Sequence, residues 1–233
     1  HSFKTYLVQL GLSSHKISVI PNGINRDVFF PRDPDADLKL KLDLKGKFVV
    51  GYIGTHGRAH ALDIIAKAAK LAQKHPDLKT VKFVTVGSGE QFDELVLAVR
   101  GLDNVLMIGQ VSASEIHRYW SILDLGIVHL KKSKIFETVI PSKMFEGIGM
   151  GVPLLFGVRG ESAKIVKENA SGICFRPESP KSLINALRQM KKKRGFRRKI
   201  RIQSFLVATK FDRKKLANDM ERQLLRVVNR NSK

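Results

Sequence analysis

Cysteine is nearly missing from this chain: Cys174 is the only one in 233 residues, which excludes an internal disulfide and any cysteine-rich metal site. It reads as a buried, reduced thiol. The seven histidines are scattered without a ligand spacing such as His-Glu-x-x-His, so neither a metal nor another cofactor is expected. No apolar run approaches the roughly 18 residues of a membrane span, and His1 to Gln9 lack the pattern of a secretion signal. The Gly-Lys-Ser/Thr of a P-loop is absent as well. After the first strand the glycines run Gly51-x-x-Gly54-x-x-Gly57 rather than Gly-x-Gly-x-x-Gly, and no clear acidic residue closes the next strand, which disfavours a nicotinamide cofactor. Acid is scarce: 21 Asp and Glu stand against 42 Lys and Arg, for a net charge of +21.

That charge is unevenly spread. Residues 181–233 hold 18 Lys and Arg against Asp212, Asp219 and Glu221, so +15 lies in the tail and +6 in the first 180 residues. The densest run, Lys191 to Lys199, suits an anionic lipid surface or nucleic acid, or else a solvated helix face. It has no aromatic interleaving for base stacking, which disfavours nucleic acid. The length suits one large domain with appendages and is too short for two full nucleotide-binding lobes. A start at His1 rather than Met suggests a fragment.

Read in order, His1 to Gly11 is a helix end with Phe3, Tyr6, Leu7 and Leu10 at helical spacing, and Ile17 to Ile20 reads as a short strand. Pro21-Asn22-Gly23 is turn chemistry and Pro31 to Pro34 has linker composition. Lys47 to Ile53 is an apolar strand, followed by Gly54-Thr55-His56-Gly57-Arg58 and a helix from Ala59 to Lys74. Strand, glycine loop and helix in that order form either a phosphate-binding unit or a plain tight turn. Strands at Val81 to Val86 and Val105 to Ile108 run into Gly87-Ser88-Gly89-Glu90 and Gly109-Gln110-Val111, with helices to Arg100 and from Ser114 to Ser121. Helices at Glu161 to Glu168 and Ser179 to Lys193 flank a last strand at Gly172 to Phe175. Two basic helices, Phe196 to Ala208 and Arg213 to Val228, close the chain, the second with Leu216, Met220, Leu224 and Val228 on one packing stripe. Strands leaving through glycine or polar loops into helices predict an α/β doubly wound parallel sheet, whose ligands sit outside the carboxyl ends of the strands.

The stretch Asp124 to Phe156 is the centre of this pattern. A strand at Leu125 to Leu130 leads through a loop to Pro141, an N-cap at Ser142, a short helix from Lys143 to Met150, and a stop at Gly151-Val152-Pro153 before the next strand. Met144, Phe145 and Ile148 can face the core while Ser142, Lys143 and Glu146 cluster at the helix start. Such a start suits phosphate, and Glu146 one turn on could accept hydrogen bonds from ribose hydroxyls. An ordinary cap and an ordinary first-turn carboxylate fit the same residues.

Ile20-Pro-Asn-Gly-Ile24 with Phe29 and Pro31, Val50-Gly-Tyr-Ile-Gly-Thr55, Val86-Gly-Ser-Gly89, Val105 through Val111, Asp124-Leu-Gly-Ile127, and Ile140-Pro-Ser-Lys-Met-Phe-Glu146 with Gly151-Val-Pro153 occur in one order and spacing. Together they resemble the nucleotide-sugar-binding C-terminal lobe of GT-B glycosyltransferases, close to family 4 and its amino-sugar transferases of surface polysaccharide synthesis. The resemblance implies a Rossmann-like single lobe over residues 35–195, preceded at 1–34 by the end of an acceptor lobe and a linker, and followed at 196–233 by basic C-terminal helices. It implies that Glu146 holds the donor ribose. The diphosphate would meet Gly54, Thr55, Gly57, Arg58, Pro141, Ser142 and Lys143, and the base would meet Gly109, Gln110 and Val111. The family's second glutamate falls on Thr138 here, with Glu137 beside it, and these two are the candidate sugar contacts. Its basic pair aligns with Thr55 and His60, so Arg58 or Lys143 is expected to neutralise phosphate.

The implied partners are a nucleotide-diphosphate sugar, UDP-linked by preference, and a glycan or lipid-linked acceptor, with retaining transfer assisted by the donor phosphate. No catalytic residue is assigned, because the resemblance places the family's catalytic histidine in an acceptor lobe that is expected to be missing ahead of Phe3. The chain alone is expected to bind donor and to be incomplete for transfer, in the cytoplasm or peripheral on the inner membrane face. A non-catalytic or split binding module whose basic tail docks on membrane or nucleic acid is the alternative, and a sugar-nucleotide epimerase of the same architecture fits less well.

Overall fold

In the computed structural model, which describes residues 1–231, the chain runs α1 (Ser2–Gln9), α2 (Ala36–Lys41), β1 (Phe48–Ile53), α3 (Asp63–Gln73), β2 (Val81–Val86), α4 (Phe92–Val99), β3 (Val105–Ile108), α5 (Ile116–Ser121), β4 (Leu125–His129), α6 (Ser142–Gly149), β5 (Leu154–Gly157), α7 (Glu161–Glu168), β6 (Gly172–Cys174), α8 (Pro180–Lys192), α9 (Arg194–Lys210) and α10 (Arg213–Asn231). Six strands form one sheet in the order β3-β2-β1-β4-β5-β6. Every pairing is parallel, from Phe48 against Val81 on one side of β1 to Val50 against Leu125 on the other.

The strands are apolar along their length because helices cover both faces of the sheet. On one face Val50, Phe83, Ile127 and Leu155 pack against Ile65 and Ala69 of α3 and Leu183 and Leu187 of α8. On the other, Val49 and Val84 meet Trp120 of α5, while Val128 and Phe156 meet α6 and α7. Met144, Phe145 and Ile148 of α6 are buried, and at about 1.5–3 kcal/mol for each such side chain they anchor the helix whose start faces the strand ends. Strand order reverses between β1 and β4, which opens a crevice at their carboxyl ends.

Four local readings are corrected. Ile17 to Ile20 is not a strand; its backbone instead receives the Lys4 ammonium at the Ile17 carbonyl. The bridge in this region falls at Ile24, which pairs with Asp212. The helix expected from Ala59 is interrupted, because Ala61 takes a left-handed φ of 43° after a short 3-10 turn at Arg58–His60, and α3 starts at Asp63. Ser142 is the first helical residue rather than the cap, which is Pro141. In α10 only the first residue of the predicted stripe is buried: Leu216 packs in, whereas Met220, Leu224 and Val228 are exposed. Cys174 is half-buried and free, with burial raising its thiol pKa. The far end of the predicted basic tail, Ser232 and Lys233, lies outside the described residues.

Candidate functional site

The loops leaving β1, β2 and β3 are stitched to one another at the carboxyl edge of the sheet. Gly54 N–H donates to Val86 O at 2.8 Å, His56 N–H to Ser88 O at 2.8 Å, and Gly87 N–H to the Ile108 and Gly109 carbonyls. Ser88 Oγ donates to Gln110 Oε1 at 3.0 Å, leaving Gly109 and Gln110 exposed on the same edge while Val111 turns half-buried toward the core. Gly87 has φ 134°, and a Cβ there would collide with the Gly54 carbonyl, so only glycine permits this approach.

Gly54, at φ 136°, sits directly beneath Lys143: a Cβ on it would overlap the lysine Cε. The lysine stem therefore crosses the loop, and its Nζ rests 5.4 Å from the centre of the Tyr52 ring. Burial lowers the Lys143 pKa, with Glu146 opposing, and among the described residues no carboxylate lies within ion-pairing distance of its Nζ. Tyr52 Oη donates to Thr55 O at 2.7 Å and so fixes the turn from below. Thr55 is exposed, and Gly57 opens the 3-10 turn.

One turn along α6, Glu146 accepts a hydrogen bond from Trp120 Nε1 at 3.1 Å through Oε2. Burial raises its pKa, against the Trp120 hydrogen bond and the charges of Lys143 and Arg213. Trp120, wholly buried, lies against Gly126 and Gly147; a Cβ at Gly126 would stand 2.7 Å from its ring, and one at Gly147 would clash with Leu154 and press on the ring. Pro141 caps α6 without a side-chain acceptor, and Ser142 stands exposed at the helix start, the end of a helix that favours an anion.

Not every predicted contact converges. The Arg58 guanidinium is exposed and paired with Glu90 at 2.6 Å across the β2 loop. Glu137 and Thr138 lie half-buried around a short turn before α6, with Thr138 Oγ1 donating to Ile135 O at 2.8 Å.

Three features escaped the sequence reading. The first is the pairing of Glu146 with Trp120, for which the chain's single tryptophan was the available signal. The second is a reciprocal histidine clasp at the β1/β4 crevice. Glu178 N–H donates to His129 Nε2 at 2.9 Å, so His129 Nδ1 carries the proton and donates to His60 O at 2.7 Å, while His60 Nδ1 reaches His129 O at 3.4 Å. Both rings are held neutral by burial, which pushes His60 down to about 4 and lowers His129 as well. The third is the brace behind α6: Ile24 is buried against Gly149, and Arg213 Nε donates to Gly23 O at 3.0 Å. The Pro-Asn-Gly-Ile stretch thereby seats the helix that carries Lys143 and Glu146.

The arrangement offers an anion-favouring helix start, a lysine without a carboxylate partner above a glycine loop, and a carboxylate with one oxygen beyond its tryptophan partner. Known proteins align with this framework. The sequence pattern of the family described as glycosyl transferases group 1 matches residues 47–193. A putative teichuronic acid biosynthesis glycosyltransferase, TuaH of Bacillus subtilis, is 26% identical over 148 residues, covering 63% of this chain and 36% of that protein. Among solved structures, Anabaena Alr3699/HepE in complex with UDP-glucose superposes with a TM-score of 0.79 at 20% identity, over 95% of this chain and 60% of that one. The C-terminal domain of a group 1 glycosyl transferase, LpcC of Francisella tularensis, gives a TM-score of 0.66 at 18% identity, over 81% of this chain and 97% of that domain. The chain thus spans 36% of the TuaH sequence and 60% of the HepE chain. With the family pattern covering the whole sheet and its switch-point loops, this chain belongs to the group 1 glycosyltransferases.

Proposed function

We propose that this chain is the donor-binding lobe of a family 4-type, retaining glycosyltransferase that takes a UDP-sugar, hexosyl or amino-sugar, for transfer to a glycan or lipid-linked acceptor in polysaccharide synthesis. The observation that carries the reading is the placement of Lys143 and Glu146 on one turn of α6, the lysine over Gly54 and the carboxylate beside Trp120. In this reading the α6 N–H groups and the Lys143 ammonium hold the diphosphate, with the Gly54 to Gly57 loop closing on it. Glu146 accepts from the ribose hydroxyls through Oε1, while Trp120 fixes its other oxygen and hence its rotamer. Gly109, Gln110 and Val111, two strands away from β1, take the base, and Glu137 and Thr138 border the sugar. Arg58 contributes only if it leaves Glu90. The UDP and UDP-glucose complexes of the Anabaena relative favour uridine.

Residues 1–34 serve here as the interlobe segment, 35–195 as the binding lobe and 196–233 as a basic flank that holds a cytoplasmic enzyme at an anionic bilayer. No helix among the described residues is long and apolar enough to cross a membrane. Isothermal titration with UDP, GDP and their sugars tests the reading. Micromolar to sub-millimolar binding of UDP or a UDP-sugar supports it, and no binding of any nucleotide at millimolar concentration defeats it. One further reading is a lobe that binds donor without transferring it alone; among the described residues its proposed contacts are all donor-side, with no acceptor contact assigned. Donor binding with no transfer, restored on adding an acceptor lobe, would separate the two.

A further inference from the structure

The opposite edge of the sheet, where the strands begin, carries a cationic cavity that the donor reading does not use. It has a volume of about 630 Å³ and is walled by Arg194, Arg197, Arg198 and Arg201 of α9 and by Arg32 from the segment before α2. The four α9 arginines fall at i, i+3, i+4 and i+7, which places them on one helix face. The floor is the Gly151-Val152-Pro153 turn into β5, together with Asp124 at the start of β4. Gly151, at φ 69°, lets α9 approach, since a Cβ there would press on Ser204 and on Arg201 itself.

Three of the five guanidiniums, those of Arg32, Arg197 and Arg201, are positioned mainly by carbonyls and rings, which fix their geometry without cancelling their charge. Arg197 donates to the Met190 and Lys191 carbonyls and lies 5.1 Å from the Phe48 ring centre. Arg32 donates to Val28 O at 2.7 Å and stacks 4.1 Å over Phe30, its Nε buried without a partner. Arg201 donates to Arg32 O at 2.5 Å and touches the fully exposed Asp33 at 3.4 Å. Asp124 accepts from Val49 N–H at 2.8 Å, and its carboxyl pKa is raised by burial. Among the described residues Arg194 and Arg198 have no ion pair. A solvated basic face would spread its charges, whereas here five converge on one concavity from two segments of the chain. Planar guanidinium forks match phosphate oxygens in pairs.

We infer that this cavity is a binding site for a phosphate-bearing anion, a diphosphate or phosphomonoester, separate from the nucleotide site at the other sheet edge. The six-residue β1 and five-residue β4, which lie between the two edges, set them apart by roughly 16–20 Å at about 3.3 Å per residue. The anion can come free from solution or as a lipid headgroup.

Titration of the full chain with inorganic pyrophosphate tests the inference, using Arg194→Gln/Arg198→Gln and Lys143→Met as the two variants. Arg194 and Arg198 are exposed and hold no ion pair among the described residues, so the double variant keeps its fold. Saturable pyrophosphate binding that falls at least tenfold in the arginine variant and persists in Lys143→Met supports the site. Such a result would stand whether or not the chain binds UDP, so failure of the donor reading is told apart from failure here. Phosphatidic-acid vesicles released by pyrophosphate would identify a lipid headgroup as the source, and vesicles unaffected by it a free anion. Absence of saturable binding, or equal affinity in the arginine variant, overturns the inference.

Discussion

Gly54→Ala tests whether the glycine loop acts through Lys143. At φ 136° an alanine strains the backbone by about 1–3 kcal/mol, and in a chain of this size each kcal/mol lowers Tm by roughly 2–4 °C. The new methyl also occupies the space of the Lys143 Cε. The flexible stem yields before the backbone does, so the ammonium leaves its place over Tyr52. A charge-assisted hydrogen bond to phosphate contributes about 1.5–3 kcal/mol, so either Gly54→Ala or Lys143→Met should weaken UDP binding about tenfold to 150-fold. Because both substitutions remove one interaction, the double variant should bind only slightly worse than Lys143→Met. Calorimetric titration of the four proteins, each checked for folding by thermal melting, measures the coupling. Fully additive losses would refute the mechanism, as would a folded Gly54→Ala protein with unchanged affinity.

Glu146→Gln should fold and still accept from Trp120, yet lose about 1–3 kcal/mol of UDP affinity, since the charged acceptor proposed for ribose is gone; unchanged affinity would leave Glu146 a helix-start carboxylate. Trp120→Phe removes the Nε1–H donor and should raise the Glu146 pKa further, so UDP affinity titrated against pH should begin to fall at a higher pH than in the parent protein. His60 is depressed to about 4, mainly by burial; with an unfolded value near 6.5, the unfolded chain binds the extra proton first, so stability is present at neutral pH and is lost as pH falls from about 6.5 towards 4. Between pH 7 and pH 5 this amounts to roughly 2 kcal/mol, read from denaturant midpoints, and His56 and His129 act with the same sign. His60→Gln should flatten that dependence, and an equally steep variant would remove His60 from the account.

The doubly wound sheet was legible in the sequence because a parallel strand covered on both faces must be apolar throughout, and runs such as Val81 to Val86 and Leu125 to His129 state this locally. The glycine loops were legible for a similar reason, since Gly54 and Gly87 hold φ values that other residues rarely adopt. Helical spacing also placed Lys143 and Glu146 on one turn opposite Phe145. Tertiary structure alone decided partnerships between distant segments. Trp120 could be assigned to Glu146, and His129 to His60, only once β4 was set beside β1. Likewise the expected strand at Ile17 to Ile20 gave way to a bridge between Ile24 and Asp212, and the Arg58 charge went to Glu90 on the neighbouring loop. Periodicity reports which face of an element is buried, whereas the group that meets a given side chain depends on strand order and crossover path, which no local pattern contains.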